Sequence, residues 1–413
     1  MSENRRHVID CNGAPFMIHG DTAWSLITGI TKDEIELYLT DRARKGFNSI
    51  IVNLIEHKFN GPATREGLLP FADPNDFTTT NDAYFDHAEW VVAKARGCGI
   101  QVFLAPMYLG YPRNPDDEGW YHEALTNGVD KCREYGRYVC RRFDKYDNIV
   151  WMMGGDRNPG ASLDHVNAVA AGIRECADTD HLFTAHTLPE HSPAIEYAKD
   201  SWLTLNSTYT YAIVHRKLYE DYKFEPTMPF CLIESTYEGE HNASDVQIRR
   251  QAYWAMLSGA CGDFFGNYPI WEFSQGWQSA LNSRGSHDMM RLKMLFSSRA
   301  WYTLVPDLEH VVVVAGLGEF RGLDFCTAAR ANDGSLMIAY VPTPRTITVD
   351  LDQLRDPMQA WWFNPRTADV LPAGQSHRFR TRFKEFSPPD RGDWVLVIDD
   401  ASTQLPLPGH PPG

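Results

Sequence analysis

The sequence predicts an α/β fold: a (β/α)8 TIM barrel followed by a small all-β sandwich domain. Three observations lead there. Eight short apolar runs alternate with stretches of helical periodicity over the first three quarters of the chain, as βαβ units around a parallel sheet do. Those units occupy roughly 300 residues, near the ~250 usual for this barrel. Beyond Pro306 the helical periodicity gives way to short strand-like runs and turns.

The eight predicted strands are Phe16–His19, Ser49–Leu54, Gln101–Ala105, Ile149–Met153, Leu182–Ala185, Leu203–Asn206, Phe230–Ile233 and Asp263–Phe265. Helix-like segments lie between them. Thr31-Lys32-Asp33-Glu34 reads as a capping box opening a helix through Lys45. Asp82 to Arg96, Gly128 to Phe143 and Asp164 to Ala177 carry apolar residues at helical spacing. Ser244 is placed to cap a helix to Ser258, and Gly285 to Arg299 reads as the last one. A doubly wound sheet is the competing arrangement, but it usually carries a glycine-rich phosphate turn after its first strand. Here that position reads His19-Gly20-Asp21-Thr22-Ala23-Trp24.

From His310 onward VVVVAG, DFCTAARA, SLMIAYVP, TITVDL, QAWWFNP and WVLVIDD read as strands, with Ala331-Asn332-Asp333-Gly334 as a hairpin turn. The expected domains are a catalytic barrel over 1–305, a β sandwich over 306–402 and a loose tail over 403–413.

The net charge of −15 argues against nucleic acid, whose binding needs a basic surface. No apolar run is long enough for a membrane span. The opening MSENRRHVIDCNG lacks the apolar stretch of a secretory signal. A cytoplasmic protein is therefore expected, and its eight scattered cysteines are expected to be free thiols rather than disulfides. A homo-oligomer is left open.

In such a barrel the active site lies at the C-terminal ends of the strands. The residues to weigh after the apolar runs are His19, Asp21 and Trp24, then Asn53, Glu56 and His57, Met107 and Tyr108, Asp156 with Arg157 and Asn158, His186, Asn206 and Tyr209, Glu234 and Tyr237, and Asn267, Tyr268 and Trp271. Two carboxylates stand out. Asp156 follows strand four in NIVWMMGGDRNP, and Glu234 follows strand seven in PFCLIEST. In a closed eight-stranded barrel these strands lie three apart, so their ends face each other. Two facing carboxylates suit glycoside hydrolysis, one protonating the departing oxygen, the other attacking the anomeric carbon or activating water.

Each acid alone reads equally well as a capping or salt-bridged carboxylate. Asp21 and Asn158 are sugar-hydroxyl candidates, with helix capping the alternative for Asp21. His186 is a ligand contact or a structural histidine. Trp24, Tyr209 and Trp271 line a sugar subsite or fill the core. Arg157 is a charge partner of Asp156 or a bridge to a neighbouring loop. Paired histidines after strand one and an HExxH motif are both missing, so neither a metal nor any cofactor is expected. Gly154 and Gly155 would let backbone and substrate approach closely.

The stretches GDTAWSL, YLTDRARKGFNSI, NIVWMMGGDRNP and PFCLIESTYEG, the last followed by RRQAYWAMLSGACGDFFGNYPIW, resemble the apiosidase-like glycoside hydrolases. The resemblance covers nearly the whole chain. It implies a (β/α)8 barrel joined to a small C-terminal β domain once labelled collagen-binding. It also implies Asp156 as general acid or acid/base and Glu234 as nucleophile or general base. The substrate it suggests is a plant-derived glycoside ending in apiose or another pentose, and the missing export signal points to a small one. Two other classes stay open: a non-catalytic sugar-binding barrel, and a lyase or transglycosylase using the same carboxylates.

Overall fold

The computed structural model describes residues 1–113, 117–375 and 381–410. The chain gathers into two compact units. The first comprises Ile18–Tyr209 and Gly266–Ser283; the second comprises Met1–Met17, Thr210–Phe265 and Arg284–Gly413.

Eight strands form one parallel, nearly closed barrel sheet. They are β1 (Ile18–Thr22), β2 (Ser49–Asn53), β3 (Gln101–Ala105), β4 (Ile149–Gly154), β5 (Leu182–His186), β6 (Asn206–Tyr209), β7 (Phe230–Glu234) and β8 (Gly262–Phe265). Their order in the sheet is β5-β4-β3-β2-β1-β8-β7-β6. β2 pairs with β3 from Ser49 opposite Gln101 to Asn53 opposite Ala105, and β4 with β5 from Val150 opposite Leu182 to Gly154 opposite His186. Every residue of β2 and β4 is buried, as strands covered on both faces must be.

Two strands lie elsewhere than hydropathy predicts. Pro15–Phe16 pairs with Val8–Ile9 as a small antiparallel hairpin, and β1 continues through polar His19-Gly20-Asp21-Thr22. β6 reads Asn-Ser-Thr-Tyr and is buried throughout. Its Ser207 hydroxyl donates to the Ala185 carbonyl at 2.6 Å. Buried polar side chains with internal partners leave no apolar signature.

The predicted helices form with small boundary shifts. Lys32–Arg44 starts at the expected box: Glu34 N–H donates to Thr31, and Thr31 N–H donates back to Glu34 at 2.9 Å. Ser244 caps Asp245–Leu257 by accepting from Gln247 N–H. The predicted 128–143 helix extends back to Tyr121, across a kink where Gly128 takes φ +75°.

In the second unit the C-terminal region forms two antiparallel sheets. Its strands are β9 (Leu304–Pro306), β10 (Val313–Ala315), β11 (Thr327–Ala331), β12 (Leu336–Val341), β13 (Ile347–Asp350), β14 (Met358–Phe363), β15 (Val370–Gln375), β16 (Phe383–Phe386) and β17 (Trp394–Asp400). One sheet runs β9-β11-β12-β17-β14-β15 and the other β10-β13-β16. Val341, Trp362 and Trp394 of the first pack with Val349 and Phe386 of the second in one apolar core. β9, β15 and β16 escaped the sequence reading because β9 has three residues, β15 carries Pro372 and Gly374, and β16 alternates with charge as Phe-Lys-Glu-Phe. In the expected tail the Pro406 carbonyl accepts from Arg299 at 3.0 Å, and Gly409 N–H donates to Ser298 at 2.9 Å. Residues 411–413 of that tail lie outside the described residues.

One thiol expectation fails. Cys140 and Cys176 are joined as a disulfide between the helices Tyr121–Phe143 and Leu163–Cys176. The other six cysteines are free. Among the described residues, no helix is long and apolar enough to cross a membrane.

Candidate active site

Asp156 belongs to the first unit. Residues 154 to 156 all take positive φ: +77°, +124° and +43°. A Cβ on Gly154 would stand 2.6 Å from the His186 carbonyl oxygen, and one on Gly155 would stand 2.2 Å from the Tyr108 ring. Gly155 N–H donates to the His186 carbonyl at 2.8 Å. The two glycines thus turn the chain sharply off β4 and let the Tyr108 ring lie against the backbone. From there the Tyr108 hydroxyl donates to Asp156 Oδ2 at 2.7 Å. His186 Nδ1 lies 3.0 Å from Asp156 Oδ1 and 3.3 Å from its backbone nitrogen.

His186 has no solvent exposure. Trp24 meets its ring edge-on at 5.4 Å, and Tyr209 lies 4.7 Å from it. Trp24 also packs on Tyr108 at 5.4 Å. Phe59, which sequence reasoning missed, packs between Tyr108 and Trp271 at 5.3 and 5.1 Å. So Tyr108 and His186 hold Asp156, Trp24 packs on both of those rings and Tyr209 on His186, and Trp271 joins the cluster through Phe59; the Asp156 side chain is still 18% exposed. A second acid stands nearby. Burial pushes the Glu118 carboxyl up; Arg113, 2.8 Å away, opposes this, and Asp156 adds to the rise.

Other expected contacts are used structurally. Asp21 lies inside β1 and points into the helix layer, not after the strand. Its Oδ2 accepts from Tyr38 at 2.8 Å and from Arg42 Nε at 2.5 Å, all three fully buried. Burial pushes its carboxyl up, with Arg42 opposing. Asn158 staples two loops: its amide nitrogen reaches His191 at 2.7 Å and Glu196 at 3.1 Å, and its oxygen accepts from Leu188 N–H at 3.1 Å. Asn206 begins β6 rather than ending a strand, and its Oδ1 accepts from Ala194 N–H at 3.1 Å. Asn53 is buried and turns, with Ser25 and Thr28, toward Glu56, whose carboxyl burial pushes up to about 8. Arg157 bridges to Asp117 at 2.7 Å and lies 3.9 Å over the Tyr121 ring, so it clamps a neighbouring loop.

Glu234 ends β7 in the second unit and is buried. The hydroxyl of Tyr211, an exposed residue the sequence reading did not single out, donates to its Oε1 at 2.9 Å. Thr210 N–H donates to its carbonyl at 3.2 Å. Tyr237 is buried on the following loop. That loop is pinned by Gly285 N–H donating to Glu238 at 2.7 Å. Each carboxylate therefore accepts from a tyrosine hydroxyl. Asp156 and His186 each also offer a metal a ligand atom.

The family model described as "Apiosidase-like, catalytic domain" matches residues 2–303. The chain belongs to the apiosidase-like family. Residues 305–399 match a second model, "Putative collagen-binding domain of a collagenase". No curated protein matches this apiosidase-like chain. Among the solved structures that resemble it over nearly its full length are two glycoside hydrolases. One, described as "Glycoside hydrolase", is 24% identical with a TM-score of 0.85, covering 97% of this chain and 96% of its own. The other, a glycoside hydrolase family 5 protein from Bacteroides vulgatus ATCC 8482, is 23% identical with a TM-score of 0.86, covering 97% and 93%. At that identity they establish a shared fold. The family match makes the chain a glycoside hydrolase of the apiosidase-like type.

Proposed function

We propose that this apiosidase-like hydrolase removes a terminal sugar, a pentose such as apiose, from a small plant-derived glycoside. Asp156 protonates the departing oxygen, and Glu234 attacks the anomeric carbon or activates water. The observation that carries this reading is the setting of Asp156. It is a partly exposed carboxylate held by Tyr108 and His186 within a cluster of aromatic rings. Trp24, Tyr209 and Trp271 give such a site apolar faces for a sugar ring. Tyr211 supports Glu234 in the same way that Tyr108 supports Asp156.

The reaction runs without a metal, in the cytoplasm. Its catalytic portion is 1–305, with the sandwich over 306–402. Its partner is a small glycoside or oligosaccharide, not nucleic acid or membrane.

The roles are tested by leaving-group dependence. Aryl glycosides with a very acidic phenol need little protonation, whereas alkyl glycosides need it fully. Asp156→Asn should therefore lose at least about 100-fold in kcat on poor leaving groups and far less on good ones. Equal losses on both would remove Asp156 from the acid role. Glu234→Gln should lose activity on both classes.

A further inference from the structure

The helix Asp245–Leu257 follows Glu234 in the chain, and it is gripped on two sides. Arg249 is a buried cation on it. Its Nε and Nη2 donate to the two oxygens of Asp393 at 2.8 and 2.9 Å, and its Nη1 donates to Asp288 at 2.7 Å. Asp393 stands immediately before β17 of the sandwich and also accepts from the Tyr340 hydroxyl of β12 at 2.9 Å. The Tyr340 ring stacks on Tyr253 of the same helix at 4.8 Å. Trp254 Nε1 donates to the Phe325 carbonyl at 3.0 Å. On the other side, Gln247 donates to the Thr236 hydroxyl at 3.0 Å and Gln251 to the Thr236 carbonyl at 2.8 Å. Thr236 stands two residues after Glu234.

A planar guanidinium meeting both oxygens of one carboxylate fixes angle as well as distance. The cluster pairs one arginine with two buried carboxylates, and Arg284 and Arg291 reach the second at 3.1 and 2.7 Å. Its charges are held in one geometry, and the helix cannot shift without breaking it. We propose that the sandwich domain positions Glu234: Asp393 fixes Arg249, the helix carries that constraint to Gln247 and Gln251, and these hold Thr236 and the end of β7. Arg249, Asp393 and Gln251 are positioning residues. The proposal rests on the catalytic reading of Glu234.

The test uses the full chain and compares Asp393→Asn, Gln251→Leu and the double variant. Release from an aryl glycoside is followed at a temperature where circular dichroism shows each protein folded. Each single variant should lose about tenfold in kcat while KM moves by less than about twofold, because the reacting geometry is loosened and the sugar contacts are kept. The double variant should be no worse than the poorer single one, since both cut the same relay. Wild-type kcat in a folded single variant, or losses that multiply in the double, would overturn the proposal. If Asp393→Asn fails to fold, Gln251→Leu alone decides by the same criterion. Full activity in Glu234→Gln would overturn the catalytic reading itself, so the two failures are told apart.

Discussion

At Gly155 a single methyl group would collide with Tyr108, and Tyr108 is the residue that holds the Asp156 carboxylate. Gly155→Ala should therefore lower kcat by about 100-fold through displacement of the acid, and Tyr108→Phe by about tenfold. Steady-state kinetics on folded protein checks both. The sequence marked the glycines as a place of close approach, and Asp156 as the first side chain beyond them. It could not say what approaches. The approaching group is Tyr108, nearly fifty residues earlier, and only the pairing of β3 with β4 brings it there. Asp21, Asn158 and Asn206 show the converse. A polar residue near an apolar run reads the same whether it faces a ligand or a buried partner. Asp21 has found Arg42, a fully buried ion pair. Arg42→Met leaves that carboxylate unpaired and should cost about 3–5 kcal/mol of stability. Denaturant unfolding would measure it, and kcat of the folded fraction should be unchanged.

At the scale of elements, the helices Tyr121–Phe143 and Leu163–Cys176 cross where both lack side chains. A Cβ on Gly136 would lie 2.3 Å from the Val169 carbonyl oxygen, and one on Gly172 would lie 2.1 Å from that of Arg133. Both contacts are with backbone, which cannot swing aside. Gly172→Ala should cost about 1–3 kcal/mol by overpacking, read as a lower denaturation midpoint at unchanged slope. Helices of this kind were legible because their apolar spacing is local. Strands β1 and β6 were misplaced because hydropathy sees only apolar burial, and these strands bury Asp, Ser and Thr among internal partners. Tyr211 was missed for a related reason: nothing in its neighbourhood marks it until β7 delivers Glu234 to its hydroxyl.

Over the whole molecule, His215 reports how acid destabilises the second unit. It is fully buried between Trp254 and Phe325, with its Nε2 2.5 Å from the Phe320 carbonyl. Burial lowers its pKa from the ordinary 6.5 to about 4. The folded pKa lies below the unfolded one, so the neutral ring contributes its full stability above pH 6.5 and loses it as the pH falls toward 4. The loss should reach about 3 kcal/mol, and His215→Gln should flatten that part of a stability-against-pH curve. Metal is also a question for the whole enzyme, since Asp156 and His186 offer ligand atoms. Prolonged treatment with a chelator should leave kcat unchanged, and loss restored by one added cation would require a metal in the mechanism. The central claim is the catalytic pair, and one measurement meets it directly. Wild-type, Asp156→Asn and Glu234→Gln proteins are incubated with a panel of aryl and alkyl pentosides and hexosides, apiosides included, and released sugar is quantified. The account predicts release by the wild type and a loss of at least about 100-fold in both folded variants on poor leaving groups. Undiminished release by either variant on poor leaving groups, or none from any glycoside by the wild type, would contradict it.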